Sequence, residues 1–535
     1  MRKLRVLGTG GLFALLVAAA AAQFTGPTPL AWRWAHTTSV PPLGAPVVQG
    51  DTVFVAVGNR MFALDRETGN QKWRYPLVEG LPGYFRAGLV LVDGMLIGAA
   101  DNALIYAVDA ATGQAKWQHP TAVPVIGQPV ATGKFVVFQR SDNSLMALTA
   151  ADGQKAWPGE FKVFDGINGG LGVHGDNLIY MTQAGEMICL SANTQRTLWK
   201  KRFSVIFNDS VPVVFGDNVY LNSGTWVAAL SALTGNVRWQ QNVGEQLAFS
   251  PAVSPSGVFV STVEGDAFLF DTATGRPKWR QPVSLGSTPI VRPSNVDALF
   301  LAPTGNGALN VVDPIKAEVI WSFLVRPQVA GATQTTTPGG GNNRGGPSSG
   351  RGSGGTSAET STPILAIPAS GPAVLYGKTL FVLCQDGSLL AFDPEHGVDK
   401  TGPSIKMAWP TPGDQVSGQP PLELIFKIDD EATGVSDKTI KITIDGQELE
   451  YEFGRDGYAV ARISLLGKNK PLTNGRKVVK VSASDWMGNV SSEEFSLTID
   501  NNLRPLQRTP GGQTGPGQPG RPGGRGGGGG VGGIG

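Results

Sequence analysis

Short runs of alternating apolar and polar residues fill the first four hundred positions, and they are bounded by turn words rather than by helix caps. Thr52 to Val57 reads TVFVAV, Asn218 to Leu221 NVYL and Thr379 to Cys384 TLFVLC, with Gly50-Asp51, Gly175-Asp176 and Gly216-Asp217 among the breaks. Period-two runs of this length predict β-strands, and no helical spacing separates them. A phrase recurs on this background: FALDRETG from Phe62, YAVDAATG from Tyr106, AALSALTG from Ala228 and LFDTATG from Leu269, each followed by a short run to Trp73, Trp117, Trp239 and Trp279. Strand, Asp or Ser, Thr-Gly, strand is a hairpin whose glycine supplies a positive φ. Eight tryptophans mark the period: Trp34, Trp73, Trp117, Trp157, Trp199, Trp239, Trp279 and Trp321, spaced 39, 44, 40, 42, 40, 40 and 42 residues apart. Four short strands per repeat of about 40 residues predict the blades of a β-propeller, with the tryptophans as blade-closing packing residues.

The ring closes on paper. The last repeat, Gly371 to Asp393, holds three strands and lacks a tryptophan at the expected distance, while Trp34 in Leu30 to Ala35 has no strands before it. The N-terminal strand is therefore expected to complete the last blade, giving an all-β fold: an eight-bladed β-propeller. The repeat resembles that of the pyrroloquinoline-quinone-like propellers, a superfamily containing quinoprotein alcohol dehydrogenases and the propeller lipoprotein of the outer-membrane β-barrel assembly machinery. The Gly-His and Trp-Asp words of the other common propeller family are missing. The dehydrogenase branch implies adjacent cysteines beside a quinone and a calcium or lanthanide held by acids and amides. Here the two cysteines, Cys189 and Cys384, are far apart, and the repeats leave little chain for a cofactor chamber. The lipoprotein's cysteine just after the signal is absent too. No catalytic, cofactor or metal residue is carried over from either branch, and no cofactor is expected.

Targeting and composition narrow the class. Residues 1–22 have the basic start, apolar middle and small-residue end of a secretory signal, and the apolar stretch is short for a membrane span. An exported protein with no transmembrane segment after signal cleavage is expected, periplasmic or at the cell surface. Lys plus Arg total 44 against 42 for Asp plus Glu, so no overall field recommends nucleic acid as a partner. Export permits disulfides, but Cys189 and Cys384 fall in blades expected to face each other across the axis, beyond bridging distance.

The domains expected are a propeller over 23–400, interrupted at 328–362 by a Thr, Gly, Asn, Ser and Arg insertion with nothing to pack, and a second unit over 405–500. That unit has about seven alternating runs with an Asp445-Gly446 turn, and VSASDWMGN from Val481 resembles the closing strands of bacterial immunoglobulin-like modules. A β-sandwich is implied. Residues 501–535 form a Gly, Pro and Arg tail carrying Arg504, Arg508, Arg521 and Arg525, read as a solvated spacer. Asp429, Asp430, Asp437 and Asp485 could gather near one another; without a calcium-loop spacing they are read as turn-forming acids. The four histidines, His36, His119, His174 and His396, stand at unrelated positions, His36 and His119 as surface groups, and suggest neither a triad nor zinc. The chain thus reads as an exported non-enzymatic scaffold whose propeller face binds an envelope or extracellular protein, or a glycan. Quinone-dependent oxidoreductase is the alternative.

Overall fold

The computed structural model describes residues 24–133, 135–203, 210–327, 366–454, 456–463 and 470–505. The expected signal, the insertion at 328–362 and nearly all of the tail lie outside them. Among the described residues the chain forms eight four-stranded antiparallel sheets, followed by one further sheet of four strands and one of five. Seven of the eight are built from consecutive strands, from Val47–Gln49 through Gln71–Tyr75 for the first to Ser294–Val296 through Glu318–Leu324 for the seventh. The eighth takes Val374–Tyr376, Thr379–Leu383 and Ser388–Phe392, and its outer strand is Leu30–Ala35 from the other end of the chain. The propeller is thus eight-bladed and closed by its N-terminal strand. Closure removes the free edge that an incomplete blade would expose. Cys189 lies in the third strand of blade 4 and Cys384 at the end of the second in blade 8, both buried and unpaired.

The repeated phrase is explained by a contact between blades. In Asp65 to Gly69, Asp65 Oδ1 accepts from the backbone N–H of Glu67 and Thr68 and from the Thr68 hydroxyl, which shapes the turn; Gly69 then takes φ +70°. A Cβ on Gly69 would stand 2.7 Å from the ring of Trp32, and one on Gly113, Gly153, Gly235 or Gly275 would stand 2.5–2.6 Å from the tryptophan of the preceding blade. A glycine here takes the positive φ without strain and leaves room for the ring, while in blades 4 and 7 Gln195 and Ala317 hold the same place at φ +54° and +56°. Each indole also donates to a carbonyl of that turn: Trp73 to Ala110, Trp117 to Ala150, Trp157 to Ala192, Trp199 to Ala232, Trp239 to Thr272 and Trp279 to Pro314, at 2.7–3.0 Å.

Two details depart from the sequence reading. The residue of the N-terminal strand that makes this contact is Trp32, not Trp34: Trp32 Nε1 donates to Arg66 O at 3.0 Å. Its register shows why. Trp32 faces Ala391 as Trp73 faces Ala63 and Trp117 faces Ala107, beside a bulge in each case, whereas Trp34 is two positions further along and faces Leu389. Trp34 packs on Phe62, with centroids 4.8 Å apart, and His36, expected at the surface, packs on the same ring at 4.7 Å. In blades 3 and 6 the tryptophan does not close a regular outer strand. Trp157 and Trp279 precede the paired residues Phe161–Lys162 and Val283–Ser284, where Pro158 and Pro282 interrupt the ladder for want of an N–H.

The last two sheets enclose one core. Ile405, Leu424, Phe426 and Ala461 from one face Ile442, Val481, Leu497 and Ile499 from the other, all under a tenth exposed. This is a β-sandwich, and it rests against the rim of blades 7 and 8.

Candidate functional site

Blade 7 is where the inter-blade contact changes. Trp321 is fully buried, against Phe24 and Phe392 at centroid distances of 6.2 and 5.2 Å, and its indole donates to Thr433 O in the sandwich at 2.9 Å. The corresponding turn of blade 8 is not its partner. The sandwich loop Asp430 to Gly434 fills that place, and one side chain folds it: Asp430 Oδ1 accepts from the N–H groups of Ala432, Thr433 and Gly434 at 3.1, 2.7 and 2.7 Å. The turn aims two carbonyls at the propeller, Thr433 O at Trp321 and Ala432 O at Leu30 N, 2.9 Å away in the outer strand of blade 8. Gly434 has φ +87°, and a Cβ there would stand 2.9 Å from Ser322 O. Trp486 donates to that same Ser322 carbonyl at 3.2 Å, Arg326 pairs with Asp429, and Lys438 with Glu318 at 3.1 Å.

Behind this loop, carboxylate oxygens of Asp399, Asp430 and Asp485 lie within 4.8 Å of one another. Burial, then Asp430 and Asp485, raise Asp399 to about 6; burial, with Asp485 beside it, also raises Asp430 against the pull of its backbone donors. Asn489 donates to Asp485 and to the Asp399 carbonyl, and Thr433 donates to the Asp399 carboxylate. These bonds tie Asp399, Thr433, Asp485 and Asn489 into one network. The structure divides the acids singled out in the sequence. Asp430 and Asp485 meet, Asp429 turns away to Arg326, and Asp437 is exposed. Asp399 was not legible as their neighbour, because it lies before the sandwich's first strand and is brought to them by bonds to Thr433 and Asn489.

The second candidate surface is the propeller face where the blade-to-blade loops and the turns between second and third strands emerge. Phe164 is 97% exposed there, Val78 77% and Leu77 70%, all in loops following the outer strands of blades 3 and 1. Leu43 and Ile126 lie on the same face. Among the described residues no helix is long and apolar enough to cross a membrane.

Comparison with known proteins agrees with this architecture. The chain is 31% identical over 268 residues to the serine/threonine-protein kinase AfsK of Streptomyces griseus, covering 48% of this chain and 32% of that protein. It is 26% identical over 212 residues to outer membrane protein assembly factor BamB of Pseudomonas aeruginosa, covering 37% and 54%. The chain thus spans about a third and about half the length of these curated relatives. Among solved structures, BamB from Moraxella catarrhalis superposes with a TM-score of 0.49 at 14% identity, over 67% of this chain and all of that one. Quinohemoprotein alcohol dehydrogenase ADHIIG from Pseudomonas putida HK5 gives 0.51 at 10% identity, over 74% and 80%, a likeness of fold alone. With residues 27–94, 79–162, 159–255 and 223–408 all matching its model, the chain belongs to the family described as outer membrane protein assembly factor BamB.

Proposed function

We propose that this protein is an exported, non-enzymatic scaffold of the cell envelope that binds another protein through the loop face of its propeller, with an immunoglobulin-like sandwich as a docked second module. Family membership supports a scaffold, and the relative's printed name, an outer-membrane assembly factor, supports a protein partner in the envelope. The observation that carries the reading is the apolar exposure on that face. Phe164, Val78 and Leu77 project from loops held by a rigid ring, and loops on rigid scaffolds are where recognition residues concentrate. The secretory signal read in the sequence supports export.

Site-specific photo-crosslinking in cells tests this. A crosslinker at Phe164 or Val78 is expected to capture one envelope protein, and a crosslinker at Ile315, 91% exposed on the opposite face, is not. Equal capture from both faces, or from neither, would refute the assignment. Dye-linked alcohol oxidation by the purified chain after adding pyrroloquinoline quinone and calcium would return it to the oxidoreductases.

A further inference from the structure

At the loop face the inner strands of the blades form a collar around the propeller axis. In blades 3 and 4 three inner-strand residues lie opposite one residue of the next strand, between Ile126 and Val130 and between Asn168 and Gly172. Blade 7 repeats this bulge at 291–293, between Ile290, which donates to Pro303 O, and Ser294, which pairs with Leu301. The extra residues of a bulge are left out of the ladder, so their backbone groups are free. Neighbouring bulges meet: a Cβ on Gly44 would stand 2.6 Å from Gly88 Cα, one on Gly371 2.1 Å from Gly44 O, and one on Gly88 3.0 Å from the Gln128 side chain. Such close approach keeps the collar small, and its one charged member among the described residues is Arg292.

Arg292 is half-buried, and among the described residues it has neither a hydrogen bond nor an ion pair. The other buried or half-buried arginines of the propeller are engaged. Arg33, Arg66, Arg140 and Arg326 meet carboxylates, and Arg60 donates to the carbonyls of Pro76 and Val78. Arg86, just before the bulge of blade 2, is paired with Asp101. Burial alone lowers the Arg292 pKa, and no acid acts against it. Two residues on, Ser294 Oγ is buried and is a second donor without an acceptor. A charge taken from water without a partner is costly, so the collar is incomplete without an anion. A guanidinium beside free backbone N–H groups suits a carboxylate.

We propose that the collar receives the carboxylate of an acidic side chain, inserted at the propeller axis by the partner protein, with Arg292 as its counter-ion. The collar opens on the loop face, so this site rests on the loop-face reading and adds to it the chemistry of the group presented there.

Modification of Arg292 by phenylglyoxal, followed in the purified full chain by peptide mass spectrometry, tests the collar without the partner. The probe is N-acetyl-aspartate amide, whose one charge is the side-chain carboxylate, with N-acetyl-asparagine amide as the neutral isostere. At about 10 mM the aspartate amide should slow modification of Arg292 at least about threefold, the protection given by a Kd of about 5 mM. Arg196, exposed on the opposite face, should react as before. Arg292→Gln should melt no lower than the parent, because the charge it removes has no partner in the protein. In cells, Arg292→Glu should cut the adduct captured by a crosslinker at Val78 at least about fivefold, the scale of one partly screened charge pair. Equal protection by the asparagine amide, or none by the aspartate amide, overturns the carboxylate site and leaves the loop-face reading to its own crosslinks. So does an undiminished adduct in Arg292→Glu, a lowered melting temperature in Arg292→Gln, or an Arg292 that phenylglyoxal does not reach in the free chain. Protection by inorganic phosphate and not by the aspartate amide would replace the carboxylate with a phosphate. No adduct at Val78 or Phe164 in the parent would overturn both the site and the loop-face reading.

Discussion

Replacing Trp321 by Phe tests the joint between ring and sandwich. The substitution removes the indole N–H that meets Thr433 O in a fully buried setting and leaves the carbonyl without a donor. An unsatisfied buried carbonyl costs about 1–3 kcal/mol, and the smaller ring gives up about 1 kcal/mol of buried area. The sum, about 3 kcal/mol, should fall on the docking of the sandwich, because Trp321 alone among the inter-blade tryptophans donates outside the ring. Hydrogen exchange reads this directly at the Thr433 and Gly434 amides, which Asp430 holds. Their exchange should quicken by about 150-fold, the factor that 3 kcal/mol represents. Trp279→Phe is the control, since its bond to Pro314 O lies within the propeller. It should cost about 1 kcal/mol and leave the loop's protection unchanged. If both variants leave exchange at Thr433 and Gly434 as in the parent, the sandwich is not clamped through this indole.

Further outcomes are expected. Trp32→Phe should lower stability by about 1 kcal/mol more than Trp34→Phe, since only Trp32 donates to the next blade, and equal losses in urea unfolding would contradict the register. Asp399, raised to about 6 in the folded chain, contributes stability that is full below its ordinary value of 3.8 and is lost as pH rises through about 6. Asp399→Asn should therefore melt higher than the parent at pH 8, by about 1 kcal/mol after allowance for solvent screening, and the gain should vanish in scans at about pH 4. Burial pushes the Cys189 and Cys384 thiols up to about 11 and about 12. Neither should react with a disulfide reagent at pH 8 until the chain is unfolded, when two thiols should titrate; a bridge between them would contradict their placement in blades 4 and 8.

By itself the sequence determined the blade, because a blade is local. Alternating runs, an Asp-x-x-Thr-Gly turn and a tryptophan four residues after its glycine, recurring about every forty residues, specify strand, hairpin and repeat without reference to distant parts of the chain. It also determined closure, since the unpaired strand near Leu30 and the three-stranded blade ending at Asp393 are complementary deficits legible on the page. The tertiary structure decided what those residues touch. In blades 1, 2, 3, 5 and 6 the glycine of the turn is matched to the tryptophan of the blade before it, a contact that strand period alone does not register. Trp32 rather than Trp34 takes that place because a bulge sets the register, and two tryptophans in one short strand satisfy the same pattern. The seam was not legible at all. Trp321 and Thr433 are 112 residues apart, and they meet only when the sandwich replaces a blade's turn at the rim. Such contacts arise from docking between two cores, and hydrophobic periodicity carries information about each core separately.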